Sequence, residues 1–373
     1  MAEMRLCAPC LFGLESVLKD EIDLLGYKVL AVTDGRVTFA GDFRAVARCN
    51  IFLRTAERVL IELGGFSATS FEELFQGVKA LPLEDYIGPL NAFPVKGTSL
   101  KSKLHSVPDC QRIIKKAAVT RLGEIYGITR FEESDAVMQL QFIILKDKAY
   151  IYLDTTGDAL YKRGYRAISG AAPLRETIAA AMVKLSRYSA GIPFYDPMCG
   201  SGTIAIEAAM KAASLAPGLG RKFAYEDWDC VPTGLAAEAR AEALDLRRPL
   251  ESPVVFASDL DPKAVELTRR NAVLAGVKKG VWADVKDVAD FRPREERGVI
   301  VTNPPYGERL LDRDKAAEIY RVMGKTLLLP GHRCYVIAPK DIGFEAAFGR
   351  PADKKRKIYN GRITCDIYQY FKK

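Results

Sequence analysis

Histidine is nearly missing from this chain of 373 residues: only His105 and His332 occur. Histidine-based metal sites need converging imidazoles and Ser-His-Asp catalysis needs one between a serine and an acid, so with two histidines in the chain neither is expected. No apolar run reaches the roughly 18–20 residues that a membrane span requires, although 49% of the chain is hydrophobic. The start, Met1-Ala2-Glu3-Met4-Arg5, has no signal-peptide layout, and a cytoplasmic location is the default expectation. Cysteine is present but scattered. Cys7 and Cys10 form the only close pair; without a second pair no zinc site is expected, and both residues fall where an edge strand should end. There is no internal repeat and no low-complexity tract. The chemistry must then run on oxygens, aromatics and a cofactor, with no metal.

The length allows two or three domains, each with a buried core. Net charge is +8, compatible with a polyanionic partner but not diagnostic of one. Its distribution says more. Lys96, Lys101, Lys103, Arg112, Lys115 and Lys116 cluster in one half, and Lys354-Lys355-Arg356-Lys357 form a run, with Arg362, Lys372 and Lys373 nearby. Each cluster reads equally well as a solvated face or as a phosphate-contacting surface.

The most informative stretch is Ile300-Val301-Thr302-Asn303-Pro304-Pro305-Tyr306. A buried strand ends at two residues that cannot donate to a sheet ladder. Each proline also drives its predecessor toward extended geometry. The Asn303 amide and the Pro304 carbonyl are thereby held at the carboxyl end of a strand, where α/β enzymes place their ligands. Tyr306 supplies a flat face beside them. Two acceptors and a plate suit an exocyclic –NH2 on a planar base.

A second motif, Phe194-Tyr195-Asp196-Pro197-Met198-Cys199-Gly200-Ser201-Gly202-Thr203, followed by Ile204-Ala205-Ile206-Glu207-Ala208, reads as strand, tight turn and helix. A P-loop would need a lysine that is not there. The dinucleotide fingerprint is weakened but not excluded: alanine stands at the third glycine position, and the next strand-end acid, Asp259, comes more than twice too late. Asp196 ahead of the glycines would repel a pyrophosphate. It suits a ligand with a cationic head, such as S-adenosylmethionine with its α-amino group and sulfonium.

Along the chain, residues 1–65 alternate as β-α-β-β-α-β, the order of a ferredoxin-like module. Residues 66–165 carry helices near 70–80 and 109–126 and strands near 92–96, 137–146 and 148–154. Residues 166–373 hold five strand candidates alternating with helices, which argues a parallel sheet. The strand ends there are read at Cys199, Asp259, Val285, Asn303 and Ala338. A hairpin at Asn360-Gly361 turns one last strand antiparallel.

Asp-Pro-x-Cys-Gly-Ser-Gly-Thr at 196–203 with Asn-Pro-Pro-Tyr at 303–306 resembles the class I S-adenosylmethionine-dependent amino-methyltransferases. The longer string Thr302-Asn303-Pro304-Pro305-Tyr306-Gly307-Glu308-Arg309-Leu310 narrows the resemblance. So do Lys162-Arg163-Gly164-Tyr165-Arg166, Ala172-Pro173-Leu174-Arg175-Glu176-Thr177 and the insert Ala216–Phe223. Together they are similar to the THUMP-containing RNA methyltransferases, closest to the guanine-N2 methyltransferases of bacterial large-subunit ribosomal RNA. Met198 departs from the aromatic or aliphatic residue common at its position, where bulk is the main contribution.

The resemblance implies an α/β chain: a Rossmann-like methyltransferase domain with a seven-stranded sheet and one antiparallel strand, preceded by ferredoxin-like and THUMP modules. It implies that Asp196, Cys199, Gly200, Ser201, Gly202 and Thr203 wrap the methionine part of the cofactor. Asp259 would accept from the ribose hydroxyls, Leu260 would pack on the adenine, and Asp284 would meet the adenine amine. Asn303, Pro304, Pro305 and Tyr306 would form the catalytic set, orienting an extruded base for direct methyl transfer. Asp261, followed by Pro262, reads as a helix cap. Structured RNA is the expected partner, ribosomal favoured over transfer RNA. Adenine-N6 and glutamine-amide methylation use the same tetrad, and a non-catalytic RNA-binding role is the remaining alternative. Glu308 and Arg309 either shape base choice or anchor their loop.

Overall fold

The structure, a computed structural model, describes residues 3–166, 174–306 and 310–371. Glu308, Arg309, Lys372 and Lys373 lie outside the described residues, as does the segment 167–173. Two seven-stranded sheets organise the chain.

The first sheet begins with β1 (Met4–Pro9), α1 (Glu15–Leu24), β2 (Val29–Thr33), β3 (Arg36–Gly41), α2 (Phe43–Phe52) and β4 (Leu60–Ser67). This is the ferredoxin-like order read from the sequence. It continues through α3 (Phe71–Lys79), β5 (Val95–Leu100), α4 (Val107–Tyr126), β6 (Leu140–Leu145) and β7 (Lys148–Asp154). Local chemistry sets several ends. Asp42 caps α2 by accepting from Ala45 N at 2.9 Å, and Ser70 caps α3 by accepting from Glu73 N at 3.2 Å. Gly127, left-handed at φ 67°, ends α4.

The strands lie in the order β2-β3-β1-β4-β7-β6-β5. β4 joins the two modules: its start pairs with β1 and its whole length runs antiparallel to β7. The expected junction at 65/66 therefore lies inside a strand shared by both modules. One expectation is corrected here. β1 is not an edge strand; it is flanked by β3 and β4, and Cys7 is fully buried. Burial pushes the Cys7 thiol up to about 12, which makes it inert packing.

The catalytic part contains α5 (Glu176–Leu185), β8 (Phe194–Asp196), α6 (Thr203–Ala212), α7 (Leu235–Asp245), β9 (Val255–Asp259), α8 (Pro262–Leu274), β10 (Val281–Val285), β11 (Gly298–Thr302), α9 (Leu310–Leu327), β12 (His332–Pro339), α10 (Phe344–Phe348), β13 (Lys354–Asn360) and β14 (Ile363–Tyr370). The sheet order is β10-β9-β8-β11-β12-β14-β13, and β14 alone runs opposite to the other six strands. β11 sits at its centre with all five residues buried, as a parallel strand covered on both faces should be. β8 stops at Asp196, three residues before the expected end, because Pro197 has no N–H to continue the ladder.

The two sheets are packed together by specific contacts. Arg48 of α2 grips Glu242 of α7 with two bonds of 2.7 Å, a bidentate geometry. The loop before α1 lies on the edge strand β13. A Cβ on Gly13 (φ 91°) would stand 2.1 Å from the Lys357 carbonyl oxygen, so only glycine fits there. The exposed edge of the catalytic sheet is thereby covered by the first module.

Candidate active site

The ends of β8, β9 and β11 converge on one crevice, the topological switch point of the sheet. The glycine loop forms its floor. Gly202 N donates to the Cys199 carbonyl at 2.8 Å, and Cys199 N donates to the Ser258 carbonyl at 2.9 Å. Gly200 and Gly202 take φ values of 53° and 82°. Gly202 is also sterically required: a Cβ there would meet Thr268 at 2.8 Å. A Cβ on Gly200 would meet no protein atom within 4 Å, which leaves open space over the loop.

One face of α8 holds this loop. Thr268 Oγ1 donates to the Gly200 carbonyl and Asn271 Nδ2 to the Ser201 carbonyl, each at 2.9 Å. From the other side, Arg166 donates to Thr203 Oγ1 at 2.7 Å and to the Leu174 carbonyl, and lies 3.3 Å from Glu176. Beneath the loop helix, Glu207 of α6 is fully buried against Arg163 (3.4 Å), Arg54 (3.9 Å) and the Tyr165 hydroxyl (3.3 Å). Arg54 belongs to the first module, so the helix carrying the loop is clamped across the domain junction.

A cavity of 370 Å³ opens above. Of the expected site residues, Asp196, Cys199, Gly200, Ser201, Thr203 and Asn303 line it. Asp196 Oδ1 accepts from Thr302 Oγ1 at 3.0 Å, while Oδ2 is buried without a well-formed hydrogen bond, although the Met198 and Ala205 backbone N–H groups face the carboxyl. Burial pushes this carboxyl up to about 7; the Thr302 hydroxyl opposes that and the Asp259 charge adds to it. Asn303 Oδ1 is likewise buried without a donor. Two buried acceptors without donors, on residues that line one cavity, are costly at ~1–3 kcal/mol each unless a ligand's donors complete them. Burial also raises the Cys199 thiol well above its ordinary range, which keeps it neutral and unreactive.

The other expected residues stand differently. Asp259 accepts from Gly200 N (2.9 Å) and Asp261 N (3.0 Å), so it braces the glycine loop. Leu260 is 67% exposed. Asp284 accepts from the Trp282 indole at 2.6 Å. None of these three lines the cavity. Pro304 is buried, and Pro305 accepts from the Tyr320 hydroxyl at 2.7 Å. Tyr306 does not line the cavity either: its hydroxyl accepts from Asn360 Nδ2 at 3.3 Å, and burial raises it far above its ordinary range. Asp261 caps α8 as read, accepting from Lys263 N at 2.9 Å, yet it also lines the cavity.

Sequence reasoning missed the wall formed by Lys263, Ala264 and Leu267 and the two hydrogen-bonding residues behind it. The signal was their i, i+3 and i, i+4 spacing on α8. It missed Arg166 as a loop support, although the basic connector was visible. Among the described residues no group of three metal-ligating side chains occurs, and no helix is long and apolar enough to cross a membrane.

The chain matches the "RMKL-like, methyltransferase domain" family over residues 163–369, the RlmL ferredoxin-like domain over 5–60 and the THUMP domain over 68–154. It is 42% identical to "Putative RNA methyltransferase YpsC" of Bacillus subtilis, over all of this chain and 97% of that protein. It is 30% identical to "Ribosomal RNA large subunit methyltransferase K/L" of Cellvibrio japonicus, over 97% of this chain and 50% of that protein, so it spans half of that longer relative. The solved structure of SMU.472, "a putative methyltransferase complexed with SAH", superposes with a TM-score of 0.93 at 40% identity, covering 100% of this chain and 99% of that one. The chain belongs to the THUMP-containing, RMKL-like methyltransferases, and its cofactor is S-adenosylmethionine. The residues present fit that group: a buried acceptor for a cationic amine, open space over the glycine loop, and a cavity within the ~300–1,000 Å³ of small-molecule sites.

Proposed function

We propose that this methyltransferase acts on the exocyclic N2 amine of a guanine in structured RNA, with large-subunit ribosomal RNA as the substrate. The observation that carries the reading is the pair of buried, unsatisfied acceptors, Asp196 Oδ2 and Asn303 Oδ1, on two residues that line one 370 Å³ cavity. One suits the α-amino group of the cofactor and the other suits the amine to be methylated. The RNA comes from the THUMP match and from what the relatives' names state.

Bound S-adenosylmethionine supplies an electrophilic methyl group. The chain's own residues bind and position. Asp196, Gly200 and Ser201 hold the methionine end. Asn303 Oδ1 and the Pro304 carbonyl accept from the two N–H groups of the target amine and turn its lone pair toward the donor. Asn303 stays in place because Thr302, one residue earlier, is tied to Asp196 (3.0 Å), and the two prolines stiffen the backbone on its other side. Asp259, expected at the ribose hydroxyls, also holds the Gly200 backbone. Positioning of this kind supplies the larger share of the rate when no strong base is needed. The target base must leave its stack to enter, at a cost of a few kcal/mol.

The test is incubation of the full chain with labelled S-adenosylmethionine and total RNA, DNA or protein, followed by nucleoside mass spectrometry. N2-methylguanosine in large-subunit ribosomal RNA is the expected product. Label in transfer RNA moves the substrate, N6-methyladenine replaces the acceptor, and label in protein alone overturns the reading.

A further inference from the structure

A second cavity, of 640 Å³, lies at the opposite end of the catalytic sheet from the methyl-transfer crevice. The register builds it. Tyr335, Gln369 and Lys354 form one cross-strand row of β12, β14 and β13, and Ile337, Ile367 and Arg356 form another. Side chains two residues apart share a sheet face, so Arg333, Gln369, Lys354 and Arg356 project together. The end of α5 adds Lys184, with Arg187 just beyond it, and α1 of the first module closes the cavity with Val17 and Asp20.

The charge is one-sided: Lys184, Arg187, Arg333, Lys354 and Arg356 stand against Asp20 alone. Three of these cations are tethered, Arg333 by a 3.5 Å bond to the Arg187 carbonyl. Arg356 donates to the Gly13 carbonyl (2.8 Å) and Ser16 Oγ (2.9 Å), and Lys184 lies 3.7 Å from Glu21. Among the described residues, Arg187, Arg333 and Lys354 have no carboxylate partner. Gln369 is only 5% exposed, and its Nε2 is buried without an acceptor. A buried donor left open beside unneutralised cations suits a negatively charged oxygen. The basic run is divided accordingly. Lys354 and Arg356 face the cavity, while Lys355 pairs with Glu345 at 2.7 Å and Lys357 lies over the Tyr359 ring at 5.2 Å.

We propose that this cavity binds a backbone phosphate of the RNA substrate, on a stretch flanking the target nucleotide; the inference rests on the proposed RNA substrate. The eight residues of β12 separate the two ends of the sheet by roughly 25 Å at ~3.3 Å per residue. The phosphate therefore belongs to RNA that runs past the body of the enzyme. The junction between the first module and the catalytic sheet becomes a second hand on the substrate, separate from the THUMP module.

The experiment is fluorescence anisotropy of the full chain with a large-subunit ribosomal RNA fragment, titrated from roughly 50 to 200 mM salt. The variant Arg333→Gln/Lys354→Gln is expected to bind about tenfold more weakly at the midpoint, with a salt slope reduced by about one. Its affinity for S-adenosylmethionine, measured by calorimetry, is expected within twofold of wild type and shows that it is folded. If the double variant does not fold, the exposed single change Lys354→Gln carries the test, with an expected loss of about threefold. Unchanged RNA affinity and slope in a folded variant overturn the proposal alone. A wild-type chain that binds no RNA overturns the substrate reading and this proposal together. Inorganic phosphate titrated into wild type separates the sources: binding lost in the variant, while RNA affinity is not, assigns the cavity to a free phosphate and overturns the RNA assignment.

Discussion

The two ends of the catalytic sheet are built with opposite polarity. At the carboxyl end the groups left open are acceptors, Asp196 Oδ2 and Asn303 Oδ1, around a glycine loop whose backbone is otherwise bonded. At the amino end Gln369 Nε2 is an open donor beside Arg187, Arg333 and Lys354, which have no carboxylate partner among the described residues, and His332 Nε2 is open as well. A buried unpaired polar group is tolerated where something from outside completes it. The open acceptors fit the cofactor's cationic amine and the proposed target amine at one end, and the open Gln369 donor fits the proposed phosphate at the other.

The largest expected effect comes from removing the acceptor that positions the target. Asn303→Ala should lower turnover by about 100-fold or more and leave cofactor affinity within about threefold in calorimetry; equal loss of both would merge two roles that the geometry keeps apart. Next is Asp196→Asn. Losing a charge-assisted bond of ~1.5–3 kcal/mol should weaken cofactor binding by roughly 10–100-fold. The wild-type carboxyl is held up to about 7, and a bound cationic amine favours its ionised form. Affinity should therefore rise from pH 6 to 8 with proton release, seen as a buffer-dependent heat of binding, and the variant should lose that dependence.

Gly202→Ala comes third. It forces a left-handed alanine into a 2.8 Å contact with Thr268, and thermal unfolding should report a loss of ~1–3 kcal/mol. Gly200→Ala, with the same hand but no clash, should cost less. A smaller effect lies in the pH dependence of stability without ligand. Burial raises both Asp196 and Glu176 to about 7. A carboxyl with a raised folded value contributes stability that is full below its unfolded value near 4 and is lost as pH climbs through the folded one. The melting temperature should fall between about pH 4.5 and 7.5, and saturating cofactor should flatten the part owed to Asp196. The smallest effect is Lys355→Gln, on the outer face of β13, which should leave RNA affinity unchanged while its neighbour Lys354 does not. An equal loss from both would dissolve the distinction between the two faces.

Much of the crevice was legible in the chain. Prolines that cannot pair and glycines that accept positive φ act within a few residues of themselves, so the strand–loop–helix at 194–203 and the stop at 303–305 could be read directly. Asp261 read as a cap, and it is one. Tyr306 shows where such reading runs out. An aromatic after the two prolines suggested an open plate, but the hairpin at Asn360-Gly361 returns Asn360 to its hydroxyl, and the ring is held against the core. That contact spans 54 residues and leaves no local pattern. Asp259 is similar: a strand-end acid is visible in the sequence, but not that two backbone N–H groups bind its carboxylate.

By itself the sequence determined the alternation of elements, the antiparallel last strand and the identity of the loop and acceptor motifs, because propensity, period and turn chemistry are short-range. Only the tertiary structure decided that β4 fuses the two amino-terminal modules into one sheet, that Gly13 seals the edge of the other, and that Gln369 is left without an acceptor. Those outcomes depend on which surfaces meet, and burial is settled by partners far apart along the chain.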